Sequence, residues 1–158
     1  MNKHIIKLLL SLAVAIVIIF SCLSTFAATK TEKTNKEKLF ITGRPTIICF
    51  GGSYCPACKR ALPALKAIQN KYKTRATILY LDVEENRALT REFPLQVIPT
   101  YFFYDKNGKP YIPSKKVANQ IEFNEMKNKK TGEHGWSLHM GGLTESELDT
   151  ILADLGVK

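Results

Sequence analysis

From Leu8 to Phe20 every position but Ser11 is apolar, behind a start that carries Lys3 and Lys7 and ahead of small residues ending in Ala27-Ala28. A basic start, an apolar stretch and a small-residue end are the parts of an export signal. No charge occurs from Leu8 to Thr29, and those 22 residues also suffice to span a bilayer uncleaved. Residues 1–28 are therefore read as a signal peptide or an uncleaved membrane anchor. Lipidation at Cys22 is a third option that Phe20 fits poorly. In every case Lys3 and Lys7 hold the N-terminus inside and send the remainder across the membrane, so the working domain is expected to be extracytoplasmic, in a periplasm or on the outer face of the cytoplasmic membrane.

Residues 29–38 lack an apolar stripe and read as a linker. Thr46 to Phe50 is a nearly continuous, β-branched apolar run, the pattern of a strand buried on both faces. After the loop Gly51 to Tyr54, the residues Ala61, Leu62, Leu65, Ile68 and Tyr72 recur at helical spacing, predicting an amphipathic helix from about Pro56 to Tyr72 with Pro63 inside it. Ala76 to Asp82 predicts a second strand, Asn86 to Phe93 a helix closed by Pro94, and Thr100 to Tyr104 an aromatic third strand. Asn107-Gly108 signals a hairpin, with Lys109 to Ile112 returning antiparallel. Pro113 to Gly135 has no clear period and is read as an insertion or long solvated loop with a helical turn around Ile121 to Met126; Trp136 and His139 near its end offer the alternative of a partner surface. Trp136 to Met140 resumes a strand. Thr144 and Glu147 form a capping box ahead of a final helix that buries Leu148, Ile151, Leu152 and Leu155, and Gly156 stops it. The order predicts an α/β fold: a central mixed sheet flanked by helices, with an insertion before the last strand and helix.

Composition narrows this only a little. A chain of 158 residues, 45% hydrophobic and 23% charged, fits one globular domain, here residues 39–158. The net charge of +9 falls to +7 without residues 1–28, and the lysines are interleaved with glutamate in a way that reads as a solvated surface. No nucleic-acid motif accompanies them, so nucleic acid is not an expected partner, while attraction to an anionic membrane surface stays open.

The four cysteines carry the chemistry. Cys55-Pro56-Ala57-Cys58 lies between a buried strand and a helix, which sets the first sulfur at the helix N-terminus, where unpaired N–H groups and the macrodipole favour a thiolate. Pro56 suits the first helical turn. The second cysteine, one turn on and more buried, is placed to resolve a mixed disulfide formed on the first. Structural zinc would need two further ligands from Cys49, His134 and His139, at spacings unlike a ribbon or finger, and a purely structural disulfide would close a very small loop. No cofactor or metal is called for.

The run from Cys49 to Lys59, Pro63 in the following helix, and Ile98-Pro99-Thr100 opening the aromatic strand resemble the thioredoxin family over about residues 39–112. The resemblance implies a thiol-disulfide oxidoreductase with Cys55 as nucleophile and Cys58 as resolving thiol. It also implies a cis Pro99 facing the sulfurs, where a proline merely opening a strand is the plain alternative. Substrate would be held by Tyr54, Pro56, Ala57, Ile98 and Pro99, with the Ile98 backbone pairing to an extended peptide. Three departures are visible: Tyr54 stands where the family usually has tryptophan, Cys49 where it has a buried acid, and Tyr80 where it has a lysine. Cys49 is read as a small buried hydrophobe, with a third redox thiol as the alternative, and proton exchange at Cys58 is left to water, Glu84 or another group.

With no histidine between the cysteines, a reducing or intermediate potential is expected. The export signal makes the chain similar to thioredoxin-like proteins that take electrons from a membrane thiol transporter of the CcdA or DsbD kind and reduce disulfides in exported proteins. A disulfide-forming oxidase and a non-catalytic peptide-binding module are the alternatives.

Overall fold

The computed structural model describes residues 39–41, 43–127 and 131–158; the expected signal or anchor, the linker and Cys22 lie outside the described residues. Among the described residues five strands form one sheet: β1 (Thr46–Gly51), β2 (Thr77–Asp82), β3 (Thr100–Tyr104), β4 (Asn124–Lys127) and β5 (His134–Met140), in the spatial order β2-β1-β3-β5-β4. Of these strands β1 and β2 run parallel, while β1 with β3, β3 with β5 and β4 with β5 are antiparallel. The helices are α1 (Pro56–Tyr72), α2 (Arg87–Thr90), α3 (Lys115–Ala118) and α4 (Glu145–Asp154). The mixed sheet flanked by helices is the architecture expected from the pattern.

Both β1 and β3 are buried along their whole length because each face of the sheet is covered. On one face Ile47, Cys49, Tyr101 and Phe103 meet Leu65, Ile68 and Tyr72 of α1 and Leu148, Ile151 and Leu152 of α4. On the other, Ile48, Phe50, Phe102, Tyr104 and Leu138 meet Leu89 of α2 and Phe93. Phe93 packs between Phe50 and Phe102 with ring centroids 4.8 and 4.9 Å apart, so the turn after α2 serves as the second cover even though the helix expected over Asn86 to Phe93 shortens to four residues.

The segment from Pro113 to Gly135 differs from the expected loop. Ser114 caps α3 through the Val117 N–H, and Asp154 on α4 accepts from the Ser114 N–H at 2.9 Å and from the Tyr111 hydroxyl, which anchors the entry to this segment. Where a helical turn was expected around Ile121 to Met126, the chain extends into β4, pairing Asn124 with Leu138 and Met126 with Trp136. The extended form wins because tertiary pairing with β5 outweighs local propensity in so short a stretch. β5 begins at His134, inside the supposed loop, and takes the place beside β3 that the hairpin return was expected to fill. That return is brief: one bridge joins Tyr104 and Pro110, and the Tyr111 N–H donates to the Phe103 carbonyl before the chain leaves the sheet.

At α4 the capping box is complete, with Thr144 Oγ1 accepting from the Glu147 N–H and Glu147 Oε2 accepting from the Thr144 N–H at 2.8 Å. Thr144→Ala removes the cap and is expected to lower stability by about 1 kcal/mol, read as a lower denaturation midpoint at unchanged slope.

Candidate functional site

β1 ends at Gly51 and the chain turns through Gly52, Ser53 and Tyr54 into α1. Both glycines are set by close neighbours: a Cβ on Gly51 would overlap the Tyr80 ring, and one on Gly52 would lie 2.9 Å from the Tyr54 ring and 3.1 Å from Ile98 Cδ1. The turn is tied from below by Asp82 at the end of β2, whose carboxylate accepts from the Ser53 N–H at 3.0 Å and from the Glu84 N–H at 2.9 Å. In the sequence Asp82 merely closes an apolar strand; its supporting place comes from strand register, which sets this acid opposite Gly51.

Cys55 is the N-cap of α1, with extended backbone, and its sulfur accepts from the Cys58 N–H at 3.2 Å. That sulfur satisfies one of the helix's orphan donors, as an oxygen would in an ordinary cap. Pro56 occupies the first turn. On its other side the Cys55 thiol donates to the Ile98 carbonyl at 3.6 Å, directly before the cis Ile98–Pro99 bond. The Ile98 carbonyl thus lies beside the sulfur with Pro99 directly after it, while Tyr54, 60% exposed, precedes Cys55 in the chain and Pro56 and Ala57 lie between the two cysteines. Val97, 51% exposed, extends this apolar rim and was not anticipated.

The two thiols differ electrostatically. The Cys58 thiol bonding to it, with the N–H groups of Cys58 and Ala57 and the charge of Arg60, lowers the Cys55 pKa against the opposing effect of burial. Burial first, and then the bond to Cys55, pushes Cys58 up to about 11. Beneath them, register aligns Tyr80, Cys49 and Tyr101 across β2, β1 and β3, and His139 continues the row on β5. Cys49 is 1% exposed, and burial raises its pKa to about 12. Burial, followed by the nearby Cys58, likewise pushes Tyr80 up to about 12. At the two positions where the resembled family carries an acid and a lysine, Cys49 and Tyr80 lie under the pair. Glu84 is exposed on the turn that Asp82 holds.

His134 bonds to Ser137 at 3.2 Å and His139 to the Glu122 carbonyl at 2.8 Å; among the described residues no three His, Cys, Asp or Glu side chains converge to hold a metal ion. What the geometry offers is an activated, partly accessible thiol, a buried second thiol one turn away, and a neighbouring backbone carbonyl.

Comparison with known proteins points the same way. The thioredoxin family model matches residues 26–130. The chain is 29% identical to a thioredoxin of Borreliella burgdorferi over 80 residues, covering 51% of this chain and 68% of that one. It is 32% identical to a thioredoxin of Staphylococcus saprophyticus over 82 residues, covering 48% and 78%. The crystal structure of chloroplastic thioredoxin z superposes with a TM-score of 0.52 at 18% identity, covering 72% of this chain and 80% of that one, a likeness of fold. With a family model matched over more than half its length and this fold, the chain belongs to the thioredoxin family, whose members are thiol-disulfide oxidoreductases.

Proposed function

We propose that the protein is an extracytoplasmic disulfide reductase in which Cys55 is the nucleophile and Cys58 the resolving thiol of a Cys-Pro-Ala-Cys pair. The observation that carries this reading is the Cys55 sulfur held between the Cys58 N–H and the Ile98 carbonyl, with its pKa lowered while that of Cys58 is raised. The Cys55 thiolate attacks one sulfur of a substrate disulfide, forming a mixed disulfide and releasing the other sulfur as a thiolate that takes up a proton. Cys58 then loses its proton and displaces the substrate's remaining thiolate. Two electrons pass to the substrate, and Cys55 and Cys58 are left as a disulfide. Pro56 and Ala57 bring no charge to the pair, which supports a reducing or intermediate potential. The export signal read in residues 1–28 supports action outside the cytoplasm, on exported disulfide-bearing proteins, with re-reduction by a membrane thiol transporter of the CcdA or DsbD kind and a membrane tether if the segment stays uncleaved.

Two measurements test this. The pre-reduced protein should reduce insulin disulfides, and the Cys55/Cys58 couple should equilibrate at a potential below about −200 mV. Absence of turnover would leave a peptide-binding module; a potential near about −120 mV would make the protein an oxidase.

A further inference from the structure

On the face opposite α1, a cavity of ≈190 Å³ opens between the last two strands and the loop ahead of Pro99. Pro94 and Gln96 form its roof, Leu138, Met140 and Met126 its apolar floor, and Thr100 its wall. The reason for the gap is in the layers. The cover on this face is the short α2 and Phe93, packed chiefly on β1 and β3, while β5 and β4 carry the sheet on beyond β3. The volume is below the ~300–1,000 Å³ of small-molecule sites and is of the scale of one aliphatic side chain.

Its position links it to the thiols. Thr100 lies two residues beyond Ile98, whose carbonyl accepts from the Cys55 thiol. Met140 is the cross-strand partner of Thr100, and the next residue, Gly141, donates its N–H to the Pro99 carbonyl at 2.9 Å. Two of the cavity's lining residues, Thr100 and Met140, are thus each directly joined in the chain to a residue of the Pro99–Gly141 contact beside the thiols. Met126 and Met140 are unbranched and adapt to aliphatic shapes. Gln96, Asn124 and Glu125 supply polar groups around the apolar floor.

We propose that this cavity is a specificity subsite that takes a leucine or methionine side chain of the substrate polypeptide, a few residues from the cysteine that Cys55 attacks. The proposal rests on the oxidoreductase reading of Cys55 and Cys58. It gives β4, the strand that replaces the expected loop, a role in substrate selection.

The test uses pre-reduced protein in single turnover against disulfide-linked dimers of a short peptide carrying one cysteine, with leucine or glycine placed in turn at each of the four positions on either side. Each rate is divided by that for hydroxyethyl disulfide, which is too short to reach the cavity. At one or two positions leucine should be preferred about tenfold, the scale of an aliphatic side chain entering an apolar pocket. Met126→Trp, which fills the cavity from the floor, should cut that preference below twofold. Gln96→Trp, on the exposed roof loop, should do the same without disturbing the core. Equal rates for leucine and glycine at every position in the unaltered protein, or a preference that survives both tryptophans, would overturn the subsite. Failure to reduce even hydroxyethyl disulfide would instead overturn the oxidoreductase reading beneath it.

Discussion

Cys58→Ala is expected to hold substrate on Cys55 as a stable mixed disulfide and to lower steady-state reduction by at least ~10³-fold, the order seen when one member of a covalent catalytic unit is removed. The backbone N–H that Cys55 accepts from belongs to residue 58 whatever its side chain, so the cap survives and attack still occurs. The lost thiol is, however, the largest influence lowering the Cys55 pKa. The first step should therefore slow at neutral pH and recover as the pH rises toward the ordinary thiol range. Cys55→Ser should form no adduct at all. Mass spectrometry of the non-reduced protein after mixing with a peptide disulfide reads both outcomes. Adduct on Cys58 in a Cys55→Ala protein, with none on Cys55 in Cys58→Ala, would reverse the two roles.

The second large effect concerns alkaline stability of the reduced protein. Cys49 has its folded pKa raised to about 12 from an ordinary 9.0. Between these values the unfolded chain releases the proton and the folded chain keeps it, so the stability this group supports is full below pH 9 and is lost as pH rises toward 12. The loss amounts to about 2 kcal/mol between pH 9 and 10.5 at 1.36 kcal/mol per unit. Cys58, raised to about 11, and the buried Tyr101 and Tyr104 act with the same sign. Cys55, with its pKa lowered, acts oppositely: its contribution is present above the ordinary thiol value and is lost as pH falls through its folded value. Cys49→Ala isolates one share of this. It should cost stability near pH 7 by leaving a small cavity, and the deficit should shrink or reverse by pH 10.5. Urea titrations of both reduced proteins at pH 7.5, 9 and 10.5 measure it; parallel pH profiles would show that the Cys49 proton is not differentially held.

The elements that could be read from sequence are those whose signal is local. β1 and β3 announce themselves by unbroken apolar runs, α1 by the stripe from Ala61 to Tyr72, and α4 by Thr144 and Glu147 three residues apart. Cys55 and Cys58 are legible for the same reason, since adjacency in sequence puts them on one helical turn. β4 was not legible. Asn-Glu-Met-Lys offers one apolar residue in four, and its extended form depends on β5 arriving alongside, which no local pattern encodes. α2 was overextended because the apolar positions through Phe93 serve a turn that packs as a cover rather than a continued helix. The support from Asp82 to Ser53 and the row Tyr80-Cys49-Tyr101 escape for a related reason: they are set by register between strands far apart in the chain.

The outermost strand carries one more consequence. β4 leaves one backbone edge of the sheet unpaired among the described residues, and an open edge is a template on which foreign chains can stack into aggregates. Here that edge is only four residues long, carries Glu125 and Lys127 exposed, and changes register between Met126 and Lys127. Shortness, charge and irregular pairing all discourage a further strand from adding. The far end of the sheet is thereby kept from seeding the polymerisation of other chains.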